Sequence, residues 1–214
     1  MINTPNIPQT TLAQQQNSIN ANTATDTTNT NASSENQIDS FRAEGQISSL
    51  ASDAIAGRAN SNISDIWVVG GDWGFNVVNG NLTNLVTDIT MTKIDGTAPH
   101  SHSIEKLNNV SGMRIAEGMD NASNMMMSHE NEKVALEGNN TMFIGNADIT
   151  TNGNIEWEDV PIHMAMANGN IITINMNPSK TEDHFLGFPV FGTVQSIIDE
   201  NGRELTKPQQ QQQQ

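Results

Sequence analysis

The chain has 214 residues, no cysteine, nine Lys and Arg against 24 Asp and Glu, and a formal net charge of −15. Without Cys, a disulfide framework and thiolate catalysis are excluded. With so few positive charges and no basic run, nucleic acid and anionic membrane surfaces are poor partners, because phosphate neutralisation supplies most of that affinity. Residues 1–37 are almost wholly Asn, Thr, Gln, Ser and Ala. Such a segment buries too little apolar surface to offset the entropy of ordering it, and is predicted to be disordered. Residues 38–200 are predicted to form a single β domain, and 201–214 a polar tail that ends in Pro208 and six Gln. No apolar run reaches the roughly 18 residues of a transmembrane helix. The opening MINTPNIPQTTL lacks the regions of a signal peptide, so an exported protein would be a mature form with its leader removed.

Phe41, Ala43, Gly45 and Ile47 alternate with Arg42, Glu44, Gln46 and Ser48, which predicts a strand over 41–50, since successive side chains in a strand point to opposite faces. A loop follows, then a strand over 63–69. Gly70-Gly71 predicts a bulge or sharp bend before a third strand, in which Trp73, Phe75 and Val77 share the core face. Asn79-Gly80 predicts a two-residue hairpin turn of the primed type, which needs positive φ at both positions. The next strand puts Leu85, Thr87, Ile89 and Met91 on one face and Asp88, Thr90 and Thr92 on the other. Asp95-Gly96 turns it into an arm carrying His100, His102 and Ile104. Residues 108–140 follow neither period and predict a long inserted loop, with a short helix near 130–136. Strands return over 141–150 and 155–167 around the Asn152-Gly153 turn, with Val160, Ile162, Met164 and Met166 on the core face. Asn168-Gly169 leads into a strand over 171–177. The last strand is predicted over 184–198, with His184, Leu186, Phe188 and Val190 on one face. About nine short strands joined by Asn-Gly and Asp-Gly turns predict an antiparallel all-β domain. A β-sandwich or jelly roll is the first expectation and a closed up-and-down β-barrel the alternative, which the meander connections also suit.

Chemistry centres on histidine. His100 and His102 stand two apart, so on a strand both imidazoles leave the same face, a ready pair of zinc or copper ligands. If Ile104 points inward, so do both. A third ligand could come from His163 or His184. His163 falls on the face opposite Val160, Ile162, Met164 and Met166, whereas His184 shares a face with Leu186 and Phe188. The other reading of this pair is two histidines at a strand start bonded to backbone or water. Met125, Met126, Met127 and His129 form a second soft-donor run that would suit copper, although Met also simply fills irregular cores. Trp67, Trp73 and Trp157 read as core or as an aromatic platform. No GxSxG, P-loop, HExxH or dinucleotide fingerprint occurs.

Gly96, His100, His102, Glu105 and Gly112, in that order, resemble the cupin metal motif. The Gly-to-His and His-to-Glu gaps are shorter than that family's, and at strand spacing Glu105 faces away from the histidines. Four phrases resemble a group of uncharacterised exported proteins of ammonia-oxidising archaea. They are FRAEGQISSL (41–50), GDWGFNVVNG (71–80), MTKIDGTAPHSH (91–102) and HFLGFPVFG (184–192). That resemblance implies secretion or surface attachment and an all-β domain, and no known activity. Three functions follow as expectations: a non-enzymatic extracellular or cell-surface β-domain with a structural or interaction role, a histidine-based copper- or zinc-binding exported protein, and a cupin-like metalloenzyme.

Overall fold

Period-two patterning with primed turns builds strands, and the described residues hold eleven. The computed structural model describes residues 37–52, 66–113 and 132–206. The strands are β1 (Gln37–Ile38), β2 (Phe41–Ser52), β3 (Ile66–Val78), β4 (Asn81–Lys93), β5 (His100–Ile104), β6 (Asn108–Gly112), β7 (Leu136–Glu137), β8 (Thr141–Thr151), β9 (Asn154–Ala167), β10 (Ile171–Met176) and β11 (Val190–Asp199). Strands β2 to β5 form one antiparallel meander and β8 to β11 another. β11 pairs with β2, and β5 pairs with both β4 and β8. Eight strands therefore close on themselves as an up-and-down barrel, and β6 adds along β8. The sandwich or jelly roll expected first does not form, because both ends of each meander find a partner and no second sheet is left to pack. Closure also removes the exposed edges that an open sheet would present. β1 and β7 make a separate two-stranded ribbon. Among the described residues no helix is long and apolar enough to cross a membrane.

Several boundaries differ from expectation for identifiable reasons. β3 is one strand through Gly70 and Gly71, paired to β2 and β4 without a shift at the glycines; its register shift against β4 falls instead between Asn76 and Val77. Gly71 is needed for proximity: a Cβ there would lie 1.9 Å from the Asp88 carbonyl oxygen of β4. The expected strand over 184–198 begins only at Val190. Residues 177–189 form a chain of turns instead, with positive φ at Glu182, Asp183 and Leu186. Within the expected loop over 108–140, β6 and β7 are strands, and Val134 and Leu136 are buried. The described part of the expected helix near 130–136 is extended. Residues 1–36, 53–65, 114–131 and 207–214 lie outside the described residues, and with them the soft-donor run ending at His129 and most of the predicted disordered segment. Gln37, assigned to that segment, is in β1.

The face assignments hold. Trp73, Phe75, Val77, Leu85, Thr87, Ile89 and Met91 are all buried, as are Val160, Ile162, Met164 and Met166. Asn79 and Gly80 (φ 52° and 79°) and Asn152 and Gly153 (49° and 84°) have the positive φ of primed turns. An eight-stranded barrel has an interior just wide enough for side chains to fill. Phe75 is the hub: it stacks on Trp73 at 5.8 Å and meets Phe143 and Phe41 edge-on at 5.1 and 5.9 Å. The interior is thus a packed core rather than the ligand cavity of a wider barrel. What remains for chemistry is a rim.

Candidate metal centre

One rim is formed by the start of β3, the end of β4, the start of β5, the end of β8 and the 177–189 segment between β10 and β11. β5 enters the barrel wall here, with His100 in register with Met91, and His102 with both Ile89 and Thr151. Ile104 is fully buried, so strand alternation turns His100 and His102 inward as expected. His102, the deeper, is 2% exposed. His184 arrives from across the rim on the turn-rich segment, held by its own amide donating to the Thr181 carbonyl and by buried Phe185 beside it.

The three rings converge. His184 Nε2 lies 3.0 Å from His100 Nε2 and 3.0 Å from His102 Nε2. All three candidate ligand atoms fall within 4.8 Å of one another. The opposite edges of two rings are anchored: His100 Nδ1 sits 3.0 Å from the Ala98 carbonyl oxygen, and His102 Nδ1 2.8 Å from Thr151 Oγ1. A carbonyl can only accept, so His100 carries a proton on Nδ1, and the neutral form of the ring would turn a bare Nε2 lone pair toward His184. One ring nitrogen offers either a lone pair or a proton, so His184 Nε2 cannot satisfy two neighbours by well-aligned hydrogen bonds of its own. An ion accepting all three lone pairs resolves the conflict. Around one zinc with bonds of about 2.0–2.1 Å, tetrahedral placing separates the nitrogens by about 3.3 Å, a few tenths more than seen here.

The environment favours the neutral form of His102 and His184, the form that ligation requires. Burial, followed by the charges that His184 and His100 would carry, pushes the His102 pKa down to about 4. Burial and then His100 lower that of His184 as well. The Glu156 carboxylate works the other way on both. Aromatic walls surround the cluster. Trp67 meets His100 edge-on at 5.2 Å, and Trp157 and Phe185 each approach both His102 and His184 within 5.7 Å. Lys93 lies over the outer Trp67 ring, 5.6 Å from its centroid.

Of the expected site residues, His100, His102 and His184 come together and His163 does not. His163 is on β9 in register with Ile144 and Asn175, on the outer face, because its neighbours Ile162 and Met164 fill the interior. Glu105 is exposed and outside the cluster. Sequence reasoning did not find Thr151 or the Ala98 carbonyl as anchors. A Thr before an Asn-Gly turn and a carbonyl before Pro99 carry no signal of their own. Trp67 and Trp157 were visible as aromatic residues but not as walls of this site. Neither a family model, nor a curated protein, nor a solved structure matches the chain.

Proposed function

We propose that His100, His102 and His184 bind one divalent transition-metal ion, zinc or copper, and that this is the protein's biochemical property. The carrying observation is the convergence of three imidazole Nε2 atoms on one point. Two further features favour it. Burial favours the neutral form of His102 and His184, and His100 and His102 are oriented through Nδ1 by a carbonyl and a hydroxyl, the outer-shell pattern that fixes metal-binding histidines. Imidazole suits both zinc and copper, so geometry alone leaves both candidates. Export to the cell exterior enters this reading through the resemblance of the four phrases.

Metal titration followed by thermal unfolding tests the reading. A ligand present at about 1,000 times its Kd stabilises the native state by about 4 kcal/mol. Zn(II) or Cu(II) should therefore raise Tm by several degrees, and the His100→Ala, His102→Ala double variant should lose the rise. A parent protein indifferent to both ions, or a double variant that still responds, would return the protein to the structural or interaction module of a cell surface.

A further inference from the structure

We infer that the ion, on the reading just proposed, keeps a coordination position open to solvent and fills it with a small monovalent anion supplied from outside the chain. The first ground is donor number. Among the described residues, three His and no Asp or Glu make up the cluster, and the chain has no Cys. Zinc sites that serve only structure are closed by four protein ligands, whereas three protein ligands leave a fourth position for water or another small ligand.

The second ground is charge. Three neutral imidazoles leave both positive charges of the ion uncompensated. Glu156 is the carboxylate whose charge bears on His102 and His184, and it is not one of the cluster's donors. An exposed carboxylate outside the cluster does not neutralise two positive charges held against the rings of Trp67, Trp157 and Phe185. Burying an unbalanced charge is costly, and an anionic ligand removes that cost.

The third ground is direction. His102 is buried below, whereas His100 and His184 are only half-buried. The position left by the three nitrogens therefore lies on the rim side, bordered by His100, His184 and Trp67.

Cobalt supplies the test, since its visible absorption reports both its occupancy and its coordination. Full-length protein is loaded with Co(II) and titrated with sodium azide. The inference expects cobalt bands that shift saturably with one azide per ion. Bands that form, depend on His100 and His102, and do not move with azide would overturn it, because the coordination would then be completed by the protein itself. Failure of the underlying reading looks different and removes both: no cobalt bands, or the same bands in the His100→Ala, His102→Ala variant. Azide-dependent shifts of equal size in that variant would likewise place the anion on adventitious cobalt.

Discussion

At the rim where β11 ends, buried polar atoms are over-supplied with partners. Asp199 accepts from the Asn201 and Arg203 amides and from Arg203 Nε at 2.8–3.0 Å. Glu204 accepts from Ser196 Oγ at 2.8 Å, from the Ile197 and Thr206 amides at 3.1 Å, and from the Thr206 hydroxyl. At the opposite rim, three imidazole nitrogens face one another, and His184 Nε2 stands 3.0 Å from two of its neighbours' nitrogens at once. Both rims belong to the same barrel and use the same strand geometry. Hydrogen-bonded carboxylates explain themselves as structure, since each donor is matched by an acceptor. Three histidine nitrogens this close could hold a metal ion. The contrast between the two rims is what the metal-binding proposal rests on.

Both rims share the packed interior, so the largest effect expected is on both at once. Trp73 is buried, stacks on Phe75, and donates from Nε1 to the Thr193 carbonyl at 3.2 Å. Gly45 and Gly192 make room for it: a Cβ on either would come within 3.1 Å of the indole. Trp73→Ala should cost about 3–5 kcal/mol in denaturant unfolding, as large core truncations do. A loss under about 1 kcal/mol would mean that the barrel is held elsewhere, and the two rims would then be independent units.

The next effect separates the rims by pH. His102 has a pKa of about 4 in the folded protein against 6.5 for an unperturbed imidazole. The native state therefore binds fewer protons than the unfolded chain between those values. The stability carried by the neutral ring is complete above pH 6.5 and is lost as pH falls toward 4, by roughly 3 kcal/mol in the metal-free protein. At the other rim, burial works to raise the Glu204 pKa, but the Thr206 and Ser196 hydroxyls and the Thr206 and Ile197 amides outweigh it and bring it to about 2 from 4.5. That contribution is complete above pH 4.5 and is lost between 4.5 and 2. Amide NMR shifts followed from pH 7 to 2 should move first at Ser101 and Ser103, and only later at Ile197 and Thr206. Simultaneous movement of all four would contradict the contrast between the rims.

Much of this was legible in the sequence where a local rule acts alone. Alternation placed Trp73, Phe75, Leu85, Ile89 and Met91 on the core face. Asn79-Gly80 and Asn152-Gly153 marked their turns, and the two-residue spacing of His100 and His102 put both on one face. The same rule kept His163 on the opposite face of its strand. Closure was legible only as the alternative that the meander connections suit, and its seam was not, because the β5–β8 pairing joins His102 to Thr151 across residues with no shared period. His184 was misplaced for a related reason. Its alternation with Leu186 and Phe188 imitates a strand, whereas Glu182, Asp183 and Leu186 take positive φ and curl the chain over the rim. The third histidine thus came to the cluster by a backbone conformation that composition does not announce.

The smallest effect expected tests whether the functional rim is organised beyond its three ligands. Thr151 ends β8, in register with His102, and its hydroxyl lies 2.8 Å from His102 Nδ1. Thr151→Val keeps the shape and removes the hydroxyl, so His102 loses the side-chain partner that holds its ring. Loss of such outer-shell partners weakens metal affinity by about 10–100-fold. The metal-free fold should lose only about 1 kcal/mol, the net value of one hydrogen bond. Thr151→Ser restores a hydroxyl on the same atom and should restore most of the affinity. That pairing of outcomes, read by calorimetric zinc titration of the three proteins, distinguishes orientation from packing. Wild-type affinity in the Val variant would assign the ring's position to Trp157 and Phe185, whose faces and edges already enclose it within 5.7 Å. In that case the matched partners that set the carboxylate rim apart would have no counterpart behind the histidines.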